Sequence, residues 1–311
     1  VESSRAWTAE QAHEAALRLL DKIQPNIIID DGASFARLAS LERPELTANL
    51  IGVAEETTSG VRAFQQMQEA GALTYPVVAV NDSVLKTGFD NAHGTGETCV
   101  TTMQRILGEH AFDGKNVTVI GYGPVGQGFA RRIRALGAEV TICDIDPVAS
   151  LKAVFDGFAA QDIDEALPCA DMVVSATGVR HTVTLEHMRA MHEGAALAVI
   201  GGIANEIALD EVSDFTPQAN RDTAQLIVPD GPTLTLIADG DGVNYTVGGG
   251  NPIEIMDLSF AVQASAVAYL LEHRGTLDHT LIRLDAATDQ RIAASALKAR
   301  GYRASHAVEA V

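Results

Sequence analysis

Apolar residues in the first third of the chain come in short runs that end in polar residues. Runs at 26–30, 50–54 and 77–80 are apolar almost throughout, which is typical of strands in a parallel sheet covered on both faces. Apolar positions spaced by three and four predict a first helix over 8–22, with Thr8 as N-cap and Gln11 as its capping-box partner. This alternation of strands and helices predicts an α/β fold.

The same alternation continues in the middle of the chain. The pattern predicts strands at 117–120, 139–143, 172–175, 196–200 and 233–237, and helices over 126–136, 147–158 and 185–190. A glycine run at 248–250 and Pro252 break the chain before an apolar stretch at 255–271 that predicts a long packed helix. If this helix returns to the first domain, linkers at 83–88 and 248–252 form a double hinge.

A glycine-rich motif stands between the predicted strand at 117–120 and the helix that follows it. The motif has the form G-x-G-x-x-G and comprises Gly121, Gly123, Pro124, Val125 and Gly126. In this setting it is a dinucleotide fingerprint, whose helix N-terminus binds the pyrophosphate. Asp144 ends the next strand, where an acid binds the ribose 2′-hydroxyl, so NAD is favoured over NADP. Asp146 is a competing acid, but Pro147 indicates that Asp146 caps the next helix.

These patterns predict an α/β protein in which a Rossmann-type, doubly wound parallel-sheet domain is inserted in a second α/β domain. We expect residues 1–84 to form the N-terminal part of a substrate and catalytic domain. Residues 85–250 are then an NAD-binding Rossmann domain, and 251–311 are C-terminal helices that return to the substrate domain. The first residue is Val, so we allow for an upstream segment.

Charge and cysteine content narrow the classes of partner. The chain of 311 residues has 22 Lys and Arg against 41 Asp and Glu, a formal net charge of −19. A surface with this much negative charge repels phosphate backbones and anionic lipids. We therefore expect neither nucleic acid nor a membrane as a partner. We expect a small-molecule substrate instead. Three widely spaced cysteines indicate no disulfide framework and no metal site, which favours a cytoplasmic location.

A second polar cluster precedes the fingerprint. Lys86 and Asp90 are four residues apart, a spacing that on a helix places both on one face. Alone, the pair could be a surface ion pair worth a few tenths of a kcal/mol. However, Asp31 and Glu56 follow two of the predicted parallel strands, whose carboxyl ends share one rim. Acids that converge beside an amine are suited to proton transfer.

Several stretches together resemble the S-adenosylhomocysteine hydrolase family. They lie, in the order of that family, at 55–60, 80–86, 89–91, 121–126, 144–147 and 243–244. The resemblance implies a tightly held NAD that oxidises the 3′-hydroxyl of a nucleoside and so acidifies the C4′–H. Homocysteine then leaves from C5′, water adds, and the ketone is reduced again. The family forms tetramers, and we expect a homo-oligomer here, a dimer or a tetramer.

The resemblance assigns roles residue by residue. Lys86, Glu56 and Asp90 would surround the sugar hydroxyls, with Lys86 as the base, and Asp31 would be an acid–base group near C4′ and C5′. Positions that would touch the cofactor are Thr57, Thr58, Ser59, Asn91, Thr177, Ile200, Gly201 and Asn244. Of these, Asn91 and Asn244 would lie near the nicotinamide.

The chain also departs from the family pattern. Thr95 replaces a cysteine, Gly202 and Asn251 replace histidines, and Ala149 replaces an asparagine. The family's adenine-binding stretch and its C-terminal tail are not recognisable. His93, two residues beyond Asn91, could supply a lost acid–base group or could be a hydrogen-bonded structural histidine.

We therefore predict an NAD-dependent enzyme that transiently oxidises a hydroxyl of a nucleoside or sugar-like substrate other than S-adenosylhomocysteine. Within this class the reaction could be hydrolysis, elimination or epimerisation. The alternatives are a genuine S-adenosylhomocysteine hydrolase, an ordinary dehydrogenase with exchangeable NAD, and a non-catalytic NAD-binding regulatory protein.

Overall fold

The computed structural model describes residues 7–203, 205–213, 215–216, 218 and 221–305. The chain forms two compact units. Unit 1 comprises Val1–Thr87 and Asp257–Val311, and unit 2 comprises Gly88–Met256. One α/β unit is thus inserted in another, which confirms the predicted fold class. The chain crosses between the units at Thr87–Gly88 and at Met256–Asp257, and the role of unit 1 as a substrate domain stays a prediction.

The regular elements alternate along the chain. The strands are β1 (Ile27–Asp30), β2 (Gly52–Glu55), β3 (Val77–Ala79), β4 (Asn116–Ile120), β5 (Glu139–Cys143), β6 (Ala159–Ala160), β7 (Met172–Ser175), β8 (Ala196–Val199), β9 (Thr223–Ile227), β10 (Thr233–Ile237) and β11 (Leu281–Ile282). The α-helices are α1 (Ala9–Ile23), α2 (Ser34–Glu42), α3 (Pro44–Thr47), α4 (Thr58–Glu69), α5 (Val84–Lys86), α6 (Gly96–Leu107), α7 (Pro124–Ala135), α8 (Pro147–Phe155), α9 (Ile163–Ala166), α10 (Leu185–Ala190), α11 (Val243–Thr246), α12 (Ile253–Glu272) and α13 (Ala286–Ala299). A π-helix, Thr87–Thr95, joins α5 to α6.

Unit 1 is built on a four-stranded parallel sheet in the order β1-β2-β3-β11. Alternate residues of its central strands face opposite cores: Val53 packs in a cluster with Phe64 and Tyr75, whereas Ala54 packs in a cluster with Leu270 of α12. Burial on both faces explains why these strands are apolar throughout.

Unit 2 is built on a seven-stranded sheet in the order β6-β5-β4-β7-β8-β10-β9, in which only β9 among these strands is antiparallel to its neighbour. Counted from β4, the first six parallel strands follow the order 3-2-1-4-5-6 of a Rossmann fold. The strand order reverses between β4 and β7, and ligands bind outside the carboxyl ends of strands at such a switch point. The sheet thus confirms the predicted Rossmann-type architecture.

Helix ends show where local pattern succeeds and where it fails. Thr8 caps α1 and forms the predicted capping box with Gln11. The helix predicted over 147–158 is too long, because α8 ends at Phe155. Gly157 takes a left-handed φ of 88°, and the Phe158 N–H donates to the Ala153 carbonyl, which closes the helix in a Schellman turn. Strands β9 and β11 and the π-helix were not predicted.

Helix α12 carries the most apolar long sequence of the described residues. By length and composition alone it is the one helix among them that could cross a membrane. Val262, Ala266 and Leu270 on this helix are buried in the core of unit 1, which is also what the core helix of a globular domain shows.

Candidate active site

Unit 1 carries an acidic pair at the end of β1. Asp30 is 3% exposed, and its Oδ1 accepts from the N–H groups of Asp31 (3.0 Å) and Phe35 (3.1 Å), while its Oδ2 accepts from the Ala36 N–H (2.9 Å). The Asp30 carboxylate thus satisfies the N-terminus of α2, which otherwise has no side-chain cap. The predicted site residue Asp31 follows it and is exposed.

The second acidic pair lies at the end of β2. As in the first pair, one acid is buried against backbone N–H groups and the other is the predicted site residue. Glu55 is fully buried, and its carboxylate accepts from the N–H groups of Gly32 (3.0 Å), Ala33 (2.9 Å) and Thr57 (2.8 Å) and from the Thr57 hydroxyl (2.7 Å). Glu55 therefore joins the loop after β1 to the loop after β2. Burial raises the pKa of Glu55 above its ordinary value, against the effect of these donors. The predicted site residue Glu56 follows it and is 9% exposed.

The hydroxyl residues after Glu56 begin helix α4. Thr57 is its N-cap, accepting from the Gly60 N–H, and its hydroxyl also accepts from the Gly32 N–H at 2.8 Å. The Ser59 hydroxyl lies 3.3 Å from that of Thr57, and the Thr58 hydroxyl donates to Asn81 Oδ1 at 2.9 Å. These three predicted cofactor contacts are brought together in one loop, and their contact with a cofactor stays a prediction.

Lys86 ends a short helix that is fixed at its other end. Ser83 caps α5 through the Leu85 N–H, and the Ser83 hydroxyl donates to Asp289 Oδ1 at 2.7 Å. Lys86 itself is 5% exposed. A lysine is almost never buried to this extent unless its ammonium group is paired.

In unit 2 the fingerprint loop follows β4 and begins α7. Gly121 has a φ of 98°, and a Cβ on Gly126 would lie 2.0 Å from the Gly121 carbonyl oxygen, so a side chain at position 126 is excluded. A Cβ on Gly123 would meet no protein atom within 4 Å, and α7 has no side-chain N-cap. The loop thus leaves open space beside free backbone N–H groups, which fits a dinucleotide pyrophosphate.

The acids after β5 have separate tasks. Asp144 Oδ2 accepts from the Tyr122 N–H at 2.6 Å, and Asp144 Oδ1 accepts from the Asp146 N–H at 2.9 Å, so the carboxylate is fixed beside the fingerprint loop. Asp146 accepts from the Val148 N–H and caps α8. The expectation that Asp146 is a cap is confirmed, and contact of Asp144 with a ribose stays a prediction.

A buried glutamate that the sequence analysis missed lies beneath the ends of β7 and β8. Glu206 is fully buried, and its Oε2 accepts from the Ser175 hydroxyl (2.6 Å) and from the Thr177 N–H and hydroxyl (both 3.2 Å). A Cβ on Gly201 would lie 2.1 Å from Glu206 Oε1. Glu206 therefore contacts two of the predicted cofactor-binding residues, Thr177 and Gly201. Ile200, the predicted cofactor-binding residue before Gly201, is buried in the core. Burial raises the pKa of Glu206.

Asp90 and Asn244 are brought together through Asn251. Asp90 is 6% exposed and Asn244 4% exposed, and the Asn251 side chain bonds to both. Asn91, a further predicted cofactor contact, lies half-buried on the same π-helix as Asp90.

His93 lies on the same π-helix and contacts Arg132. It is exposed, and its Nδ1 lies 3.1 Å from Arg132 Nη2, a nitrogen that also donates to Glu97. An arginine donor requires the imidazole to accept, so the arrangement supports a structural histidine. The catalytic role predicted for His93 has no support in this geometry.

The strand order and the fingerprint loop define unit 2 as a dinucleotide-binding Rossmann domain. A family model described as "S-adenosyl-L-homocysteine hydrolase, NAD binding domain" matches residues 91–250. An adenosylhomocysteinase from Thermotoga maritima is 38% identical over 299 residues, which cover 95% of this chain and 74% of that protein. An S-inosyl-L-homocysteine hydrolase from Methanopyrus kandleri is 36% identical over 301 residues, covering 96% and 70%.

The chain belongs to the S-adenosyl-L-homocysteine hydrolase family. It is an enzyme, an NAD-dependent hydrolase of this type, and NAD is its cofactor. Among solved structures, a phosphoglycerate oxidoreductase from Vibrio cholerae superposes with a TM-score of 0.50 at 13% identity, covering 83% of this chain and 88% of that one. This likeness concerns the fold alone.

Proposed function

We propose that the enzyme transiently oxidises the 3′-hydroxyl of a nucleoside or sugar-like substrate, and that this substrate is not S-adenosylhomocysteine. The observation that carries the proposal is the burial in unit 1 of both Lys86, 5% exposed, and Glu56, 9% exposed. Lysine and glutamate side chains are rarely buried. Where ionisable side chains are buried together, they are candidates for a functional site.

Lys86 is the residue we propose to remove the proton from the substrate hydroxyl. NAD held at the fingerprint loop would supply a reversible hydride acceptor for the carbon that bears this hydroxyl. The helix that carries Lys86 is held by the Ser83–Asp289 bond, so the position of the amine is defined before substrate binds. Such preorganisation is what general base catalysis requires.

We propose two further tasks for the carboxylates. Glu56 and Asp90 hold the sugar hydroxyls, and Asp31 moves the proton at C4′ and assists departure of the group at C5′. The structure offers a reason for this division in unit 1. Asp30 and Glu55 are buried and hold backbone N–H groups, which supports a structural task for them and a substrate task for Asp31 and Glu56, the residues that follow them.

The substrate assignment is supported by the side chains that differ from the family pattern. The family pattern has a cysteine and two histidines at positions where this chain has Thr95, Gly202 and Asn251. Loss of three titratable or nucleophilic groups changes what the site can recognise, while Lys86 and Asp90 are retained. The relatives named above already include enzymes for two different purine nucleosides, so the base is a variable of this family.

Thiol release measured with a matched panel of substrates tests this proposal. The purified enzyme with NAD is incubated with S-adenosylhomocysteine, S-inosylhomocysteine and the corresponding 5′-alkyl nucleosides. We expect slow or no thiol release from S-adenosylhomocysteine, together with reduction of bound NAD by another member of the panel. Efficient release from S-adenosylhomocysteine alone would contradict the substrate assignment and leave a genuine S-adenosylhomocysteine hydrolase. The cytoplasmic location and the oligomeric state stay predictions.

A further inference from the structure

Asn251 is the centre of a hydrogen-bond cluster within unit 2. The cluster, called the Asn251 cluster below, also comprises Asp90, Thr95, Thr98 and Asn244. Asn251 Nδ2 donates to Asp90 Oδ1, to Thr95 Oγ1 at 3.1 Å and, at the limit of 3.5 Å, to the Asp90 carbonyl. Asn251 Oδ1 accepts from Asn244 Nδ2 at 2.9 Å and lies 3.1 Å from Thr98 Oγ1, whose one proton it shares with the Gly94 carbonyl oxygen at 2.8 Å. Both ends of the amide are therefore in use, the nitrogen as a donor and the oxygen as an acceptor.

The partners fix which way the Asn251 amide points. A reversed amide would set its oxygen against the Asp90 carboxylate and its nitrogen against Asn244 Nδ2, and both contacts are repulsive. The observed orientation in turn requires Asn244 to present its nitrogen to Asn251. The backbone of Asn244 is fixed as well, because its main-chain carbonyl accepts from the Gly250 N–H at 2.8 Å.

The backbone leaves Asn251 little room to move. A Cβ on Gly94 would lie 2.8 Å from Asn251 Nδ2 and 2.9 Å from its Cγ, so the amide packs directly on the Gly94 Cα. The Thr98 hydroxyl that bonds Asn251 also lies 2.8 Å from the Gly94 carbonyl oxygen. The amide is thus held from the π-helix side by contact and from both of its ends by hydrogen bonds.

We propose that Asn251 is a positioning residue that couples the carboxylate of Asp90 to the amide of Asn244 and so orients both for the reaction. This inference rests on the proposed function, in which Asp90 faces the sugar hydroxyls and Asn244 the nicotinamide. The Asn251 amide donates to the Asp90 carboxylate. An amide has no titratable proton, so Asn251 itself adds no pH dependence to the coupling.

Asn251→Asp breaks the coupling in a way that depends on pH. Two neighbouring carboxylates share a proton, so their titration extends into a higher pH range than that of a single acid. We expect substrate-dependent reduction of bound NAD by this variant to approach the wild-type rate at low pH and to fall at least tenfold once both acids are ionised. The affinity for NAD, measured by calorimetry without substrate, should fall over the same pH range, whereas the NAD affinity of the wild type should not.

Two further variants separate coupling from folding. Asn251→Ala removes all the bonds without adding charge, and we expect NAD affinity and reduction rate to fall about tenfold at every pH. Thr98→Val removes the shared bond from the Thr98 hydroxyl and should change either quantity by about twofold. Gln161→Glu makes the same change from amide to carboxylate at an exposed position of unit 2 and serves as the control, with wild-type behaviour expected.

The outcomes distinguish this inference from the proposed function. If Asn251→Asp and Asn251→Ala melt like the wild type and keep its NAD affinity and pH profile, the coupling is refuted while the proposed function stands. If no nucleoside reduces NAD on the wild type, the proposed function fails. The NAD affinities of the variants then decide whether Asn251 couples Asp90 to Asn244. In that case a pH-dependent loss confined to Asn251→Asp supports the coupling, and unchanged affinity overturns it. If Asn251→Asp does not fold, the contrast between Asn251→Ala and Thr98→Val decides in the same way.

Discussion

Unit 1 and unit 2 both place functional loops after the carboxyl ends of parallel strands, but they build these loops from different chemistry. In unit 1 the buried carboxylates of Asp30 and Glu55 gather backbone N–H groups and so consume the local donors. In unit 2 the loop after β4 is shaped by Gly121 and Gly126, and the N–H groups at the start of α7 are left without a side-chain cap.

This difference determines which groups each loop can bind. A loop whose donors are satisfied by an internal acid cannot bind an anion, but it can hold a second acid in a fixed place, as at Asp31 and Glu56. A loop made by glycines keeps its donors for a phosphate. Unit 1 is therefore suited to handling protons, and unit 2 to holding the dinucleotide.

The largest effect is expected from the acidic pair of β2. Glu55→Gln sets an amide NH₂ against backbone N–H donors, and we expect it to destabilise the protein by about 2–3 kcal/mol. Glu56→Gln is the matched variant one residue away and should leave the melting temperature within a few degrees of wild type while lowering turnover. Thermal melts and turnover of both variants check this. Equal loss of stability in the two would contradict the division of each pair into a structural and a functional acid.

The glycine loop of unit 2 offers the next contrast. Gly126→Ala brings a Cβ to 2.0 Å from the Gly121 carbonyl oxygen, so we expect a loss of about 1–3 kcal/mol in stability together with NAD binding. Gly123→Ala meets no protein atom and should weaken NAD binding at least tenfold with stability unchanged. Calorimetry with NAD measures both. Normal NAD affinity in Gly123→Ala would show that the pyrophosphate does not approach this loop.

Glu206 gives unit 2 a pH dependence that a glutamine removes. Burial raises the pKa of Glu206 in the folded state, so the folded protein binds the proton more tightly than the unfolded chain does. The resulting stability is fully present below the unfolded pKa and is lost as the pH rises through the folded pKa. We expect Glu206→Gln to flatten this fall, by a few degrees in melting temperature. Melting curves taken from acid to neutral pH that keep the wild-type slope would contradict it.

The smallest stability effect is expected at the end of β5. Asp146→Ala removes the cap of α8 and should cost about 1 kcal/mol without changing NAD affinity. Asp144→Ala should instead weaken NAD binding about tenfold and reduce discrimination against NADP, because the ribose hydroxyls lose an acceptor. Binding of both dinucleotides to the two variants tests the assignment. A weaker NAD complex in Asp146→Ala, with Asp144→Ala unaffected, would reverse the roles of these acids.

Local pattern was enough to predict the fold and the cofactor-binding loop. The fingerprint at Gly121–Gly126 needs only a strand before it and a helix after it, and both are set by contiguous apolar residues. Strand β9 was missed because it is an antiparallel edge strand with alternating burial, unlike the apolar runs around it. The π-helix was missed because its winding follows from packing against other helices: a Cβ on Gly128 would lie 2.0 Å from the Ala92 carbonyl oxygen.

The candidate site was only partly accessible from sequence. Two consecutive acids such as Asp30 and Asp31 look alike until the chain folds, and only then does one turn towards backbone N–H groups. Glu206 lies several residues beyond β8 in a loop without periodicity, so no local signal marks it as buried. Asn251 was visible as a replaced histidine, but its four partners come from segments up to 161 residues away in sequence.

The central claim is that Lys86 takes the proton of a substrate hydroxyl while the carbon bearing that hydroxyl loses its hydrogen as a hydride, for which NAD would be the acceptor. The most direct measurement is the absorbance of reduced nicotinamide after a nucleoside substrate is added to the NAD-loaded enzyme, for the wild type and for Lys86→Met. We predict a rapid rise in the wild type and a rate lower by at least about a hundredfold in Lys86→Met, with NAD still bound. An equal rise in both proteins would remove Lys86 from the mechanism, and no rise in the wild type with any nucleoside or sugar-like compound would contradict the claim itself.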